Sequence, residues 1–153
     1  MGRIVIIKGT DSHGDHDLTV FHRLHSIPWH PNLVRVFDWV YWQLANRKAT
    51  IRLTSGWRPL EQISGESGIH ATEPLRAVDF TVVYFHKEET KALCIIGNRM
   101  WEYDSSRPGK YKVFIPHEYK TKTGQLLGYH IHMQVHDNTK RKAPLGGNPG
   151  GLN

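Results

Sequence analysis

A single cysteine, Cys94, stands among 153 residues. That excludes an intramolecular disulfide framework and any cysteine-rich zinc module. No stretch approaches the ~18 consecutive apolar residues of a membrane span. The N-terminal apolar run, Ile4 to Ile7, has four residues, too few for the ~7–15 of a signal-peptide core. The chain is therefore expected to be made as a soluble cytoplasmic protein, with any later exit left to a separate pore. Acidic residues are outnumbered, 14 against 20 Lys+Arg, for a formal charge of +6. Hydrophobic residues at 39% and charged residues at 22% match an ordinary globular domain and exclude intrinsic disorder.

Histidine is what the chain has in excess, with 11 residues. Neutral imidazole is the commonest protein metal ligand, so the count directs attention to metal chemistry.

The length suits one domain, expected over residues 1–140, followed by a Gly/Pro-rich tail over 141–153. Pro31 opens a helix, since proline is favoured at the first helical position. Leu33, Val36, Phe37, Val40, Tyr41 and Leu44 continue it as an apolar stripe, ending near Asn46. Thr50 to Ser55 alternates and reads as a strand. Gly56 to Pro74 reads as a long loop, a kind usually functional in compact domains. Ala77 to Phe85 is β-branched and aromatic, hence a second strand. Lys87 to Tyr103 reads as a helix interrupted by Gly97, and Lys110 to Pro116 and Gly128 to Val135 as two further strands joined through Gly124. Helices mixed with antiparallel strands predict an α+β fold, an antiparallel sheet flanked by helices. Trp29, Trp39, Trp42 and Trp101 are expected in the core, and Trp57, within the long loop, as the wall of a cleft. Lys140 to Lys142 reads as a solvated run.

Metal-ligand residue types gather at three places. His70 lies late in the long loop, Asp79 early in the next strand, and His130 and His132 in the last strand. Residues two apart in a strand share a face, so the two imidazoles project side by side, with Ile131 and Met133 turned away. Catalytic zinc takes three protein ligands and keeps an open position for water. His70, Asp79 and one histidine of the pair would supply that set. Asp11, His13, Asp15, His16 and Asp17 also offer ligand types, but no regular element fixes their geometry, and they read as a polar loop.

The runs Leu53-Thr54-Ser55-Gly56-Trp57-Arg58-Pro59, Ser67-Gly68-Ile69-His70, Arg76-Ala77-Val78-Asp79-Phe80 and His130-Ile131-His132 together resemble a family. It comprises the zinc D-alanyl-D-alanine carboxypeptidases and phage L-alanyl-D-glutamate endolysins, which share a fold with the signalling domain of hedgehog proteins. The resemblance spans Pro31 to about Val135, with the motifs in family order. It implies His70, Asp79 and His132 as ligands of a Zn2+ ion, and Arg58 as the residue that grips a substrate carboxylate. It implies metal-assisted hydrolysis of an amide bond in the peptidoglycan stem peptide, either D,D-carboxypeptidase or L-alanyl-D-glutamate endopeptidase in type. The resemblance implies a phage or prophage cell-wall-degrading enzyme that acts at the cell wall.

This chain departs from the family pattern twice. Nine positions separate His70 from Asp79, more than is usual, through Thr72-Glu73-Pro74. Tyr129 stands where many members carry a glutamate as general base. His130 is then the first choice for the catalytic base, with His117 and Glu118 next. The alternative is a non-catalytic zinc-binding or virion structural domain of the same fold. A nucleic-acid partner is not expected, because the basic residues are spread along the chain and no nucleic-acid motif occurs.

Overall fold

The computed structural model describes residues 3–6, 27–45, 49–56 and 69–143. Asp11 to Asp17, expected as a polar loop, Trp57, Arg58 and residues 144–153 of the expected tail lie outside the described residues.

The fold is α+β. Its elements are β1 (Arg3–Ile6), α1 (Pro31–Ala45), β2 (Thr50–Ser55), β3 (Ala77–Val82), α2 (Lys87–Met100), β4 (Trp101–Glu102), β5 (Phe114–Lys120), β6 (Leu126–Gln134) and β7 (Lys140–Arg141). Five strands form one sheet in the order β1-β2-β3-β6-β5, and β4 pairs with β7 in a separate ribbon. All neighbours in the large sheet are antiparallel except β1, which runs parallel to β2. β1 carries Ile4 to Ile6 of the N-terminal apolar run.

Both described helices pack on one face of the sheet. Leu33, Val36, Phe37, Val40 and Leu44 of α1 join Leu93, Cys94 and Met100 of α2 over Val78, Phe80, Phe114, Ile131 and Met133 in a single buried cluster. Edge-on aromatic contacts link the layers, Phe37 to Phe80 at 6.2 Å and Trp29 to Phe37 at 5.5 Å. Burial drives the Cys94 thiol up to about 12, so it serves as a small apolar filler rather than a nucleophile. Trp39 and Trp101 are buried as expected, but Trp42 is 63% exposed. It falls off the 33-36-37-40-44 stripe, onto the outward side of α1.

The last long strand, expected over Gly128 to Val135, runs Leu126–Gln134, and three further boundaries move, each for a local reason. β3 stops at Val82 rather than Phe85, because Tyr84 takes a left-handed backbone (φ 69°) and Phe85 N–H turns back to the Val82 carbonyl. α2 stops at Met100 rather than Tyr103, because Trp101 is extended and pairs with Arg141. β5 begins at Phe114 and runs to Lys120, rather than spanning Lys110 to Pro116. Asn98 on α2 brackets its start, accepting from Phe114 N–H at 3.0 Å and donating to the Phe114 carbonyl at 2.8 Å. Lys140 and Arg141 are not merely solvated, since they form β7, and Lys142 N–H donates to the Met100 carbonyl.

The glycine inside α2 has a packing reason. A Cβ on Gly97 would overlap the Phe114 ring, so only glycine lets α2 lie this close to β5. Beyond α2, the buried Asp104 carboxylate ties the following loop. It accepts from the Ser106 hydroxyl and N–H, from Arg107 Nε and from the Asn138 amide. These donors hold its carboxyl well below the usual range.

Candidate metal centre

Register places the site on the sheet face turned away from the helices. Asp79 of β3 pairs with His132 of β6, and His132 pairs with Ile115 of β5. Alternation puts Phe80, Ile131 and Met133 into the core, where all three are 0–1% exposed. Asp79, His130 and His132 therefore share the opposite face.

His70 reaches this face from the 3-10 turn Ile69–Ala71. The nine-position spacing to Asp79 is taken up by a closed loop. Thr72 Oγ1 donates to the Ile69 carbonyl and accepts from Arg76 N–H. Leu75 is stitched to the start of α1, with its N–H on the Pro28 carbonyl and its carbonyl receiving His30 N–H. The turn thus delivers His70 with its ring only 2% exposed.

Three ligand atoms converge. His132 Nδ1 lies 2.9 Å from Asp79 Oδ1, His70 Nε2 lies 3.3 Å from His132 Nδ1, and His70 Nε2 lies 3.5 Å from Asp79 Oδ1. Ligands about 2.0–2.1 Å from a tetrahedral zinc stand roughly 3.3 Å from one another. The triangle in the protein is that of one tetrahedral face. Among the described residues, this is the one group of His, Cys, Asp and Glu so placed as to hold a metal ion.

The outer nitrogens show how the inner ones can be turned toward a metal. His70 Nδ1 lies 3.0 Å from the Gly56 carbonyl. A carbonyl only accepts, so Nδ1 carries the hydrogen and the neutral ring turns its Nε2 lone pair inward. His132 Nε2 lies 3.2 Å from Gln134 Oε1, which leaves the Nδ1 lone pair facing the centre. Such outer hydrogen bonds are the usual means of orienting metal-bound histidine. Burial by itself pushes the Asp79 carboxyl up, but the His132 and His70 imidazoles beside it outweigh this and hold it well below the usual carboxylate range. The donor set, two imidazoles and one carboxylate, is one that suits zinc.

The expected base residues divide. His130 shares the site face and is half-buried. Burial pushes its imidazole below the ordinary histidine value. His117 pairs with His130 across β5 and β6, their rings stacked at 5.4 Å, and lies 6.0 Å from the His132 ring. Glu118 does not join them. It pairs with Tyr129, one residue out of phase with His130, so both point to the helix side of the sheet. Glu118 there pairs with Lys120 at 3.0 Å. Arg58 lies outside the described residues.

Sequence reasoning missed Gln134 and the Gly56 carbonyl. Gln134 was within reach of the same period-two rule, being two residues past His132. A backbone carbonyl leaves no such signal. It missed Arg52 as well. Arg52 pairs with Thr81, two residues from Asp79, on the same face, and its Nε is buried without a hydrogen-bond partner among the described residues.

Comparison of the chain with protein-family models, with curated proteins and with solved structures finds no match.

Proposed function

We propose that this protein is a zinc-dependent peptidase that hydrolyses an amide bond in the peptidoglycan stem peptide, on a fold of the hedgehog and D-alanyl-D-alanine peptidase type. The observation that carries the reading is the triangle of lone pairs on His70, Asp79 and His132, the same three residues that the resemblance names as ligands. Zinc bound there would serve as a Lewis acid toward a scissile carbonyl and toward water.

The remaining work falls to the chain. Asp79 stays ionised and offsets part of the ion's charge. His130, kept neutral by burial, is placed to take a proton and pass it to the leaving amine. His117 stacks on it and limits its rotation. A substrate carboxylate is gripped by Arg58, as the resemblance implies. Arg52 offers a second guanidinium on the site face, and a planar fork suits a carboxylate. The +6 charge favours association with an anionic cell wall, reached after release through a separate pore.

One observation favours a second reading, a zinc-binding domain without catalysis. Tyr129, at the position where a glutamate is common, faces the other side of the sheet and supplies no base. Incubation of zinc-loaded protein with purified muropeptides separates the two. A peptidase releases a new amine, and mass spectrometry identifies the bond. His132→Ala abolishes the release. Protein that holds one zinc yet leaves every muropeptide intact belongs to the second reading.

A further inference from the structure

We propose that Gln134 is a positioning residue that makes His132 ligate through Nδ1. The inference rests on the metal-centre reading and extends it to a residue outside the ligand set.

The chain of hydrogen bonds through Gln134 points to one assignment. The Lys112 carbonyl can only accept, and Gln134 Nε2 donates to it at 2.9 Å. The amide is thereby oriented, and Oε1 is turned toward His132 Nε2 at 3.2 Å. An amide oxygen also only accepts, so the hydrogen of the neutral ring sits on Nε2. Nδ1 keeps its lone pair, aimed at Asp79 and His70.

A competing force makes this orientation necessary. The Asp79 carboxylate lies 2.9 Å from Nδ1 and draws a ring hydrogen to itself. With the hydrogen on Nδ1, the inward nitrogen would be blocked to metal. Gln134 holds the hydrogen at the far side of the ring. Its own backbone is held too, since Gln134 N–H donates to the Val113 carbonyl and its residue pairs with Ala77. Main chain and side chain thus grip Lys112 and Val113 together, and the amide has a rigid base to work from.

The test uses the full chain and two readouts. Long-range proton–nitrogen spectra of the metal-free protein at about pH 8, above the ordinary histidine range, report which ring nitrogen of His132 carries the hydrogen. Competition with a chelator reports zinc affinity. The parent shows the Nε2–H form. Gln134→Met, of similar length but with no amide oxygen, moves the hydrogen toward Nδ1 and lowers zinc affinity about 10–100-fold. Gln134→Glu, which still accepts from Nε2, restores the tautomer and the affinity. Gln134→Asn, one methylene shorter, behaves like Gln134→Met and carries the test should that variant not fold. A Gln134→Met or Gln134→Asn protein with the parent's tautomer and zinc affinity overturns the proposal. If the parent binds no zinc yet the tautomer switches, the zinc reading fails and the positioning role stands. If the parent binds zinc and neither readout moves, the positioning role alone fails.

Discussion

The two faces of the sheet are built from the same strands by opposite rules. On β3 and β6 the residues Val78, Phe80, Ile131 and Met133 turn to the helices and are 0–1% exposed. One residue out of phase, Asp79, His130, His132 and Gln134 carry polar groups. The apolar face needs only volume and shape. The histidine face needs particular lone pairs in particular directions, and it supplies them through fixed tautomers. Both depend on a single register. A slip of one residue between β3 and β6 would drive Asp79 and His132 into the core and Phe80 out of it. Packing on one side therefore fixes distances on the other.

The largest effect expected is on the apolar face. Phe80→Ala should lower stability by about 3–5 kcal/mol, read from denaturant unfolding at constant slope. A change below 1 kcal/mol, roughly the scale of a tolerated core swap, would show that the helices do not bear on the sheet as described.

The next effect belongs to the histidine face and appears only with metal. Zinc at 100 times its dissociation constant should stabilise the parent by about 2.7 kcal/mol. Asp79→Asn should lose this increment, measured against its own metal-free unfolding. The increment should also weaken as pH falls, because metal ligands must be deprotonated and protons compete with the ion. Zinc stabilisation unchanged in Asp79→Asn would remove Asp79 from the ligand set.

Gly97→Ala tests the packing of α2 on that apolar face. In an open helix, replacing glycine by alanine stabilises by roughly 0.5–1 kcal/mol. Here the added Cβ meets the Phe114 ring, so the sign should reverse to a loss of about 1–3 kcal/mol. A stabilised variant would mean that α2 and β5 stand farther apart.

The same contrast explains what could be read beforehand. α1 and β2 were legible because apolar spacing and the Pro31 start are local signals. The His130 and His132 pair was legible because period two is local as well. β5 was misplaced by four residues, since its start depends on Asn98, sixteen residues away. β1 escaped because a parallel edge strand leaves only a short apolar run. The convergence of His70 with Asp79 came from the order of the motifs, while the turn that closes the gap depends on Thr72 Oγ1 and on contacts to the start of α1. Gly97 looked like a weakness in a helix until its partner, Phe114, was in place.

The smallest effect separates the faces most directly. Glu118 and His117 are adjacent in β5, yet only His117 shares the face of the metal centre. Glu118→Gln should leave zinc affinity and muropeptide cleavage at the parent's level, whereas His117→Ala should disturb the His130 stack and lower cleavage. Glu118 still has an acid-side signature. Its hydrogen bond and ion pair with Lys120 hold its carboxyl below the ordinary value. A lowered folded value means that its contribution to stability is present above the unfolded value near pH 4 and is lost as pH falls through the lower, folded one. Glu118→Gln should therefore narrow the gap between melting temperatures at neutral and acid pH only slightly, since the pair is solvent-exposed and screened. A loss of cleavage in Glu118→Gln comparable to that in His117→Ala would place both residues in one site and contradict the alternation of β5.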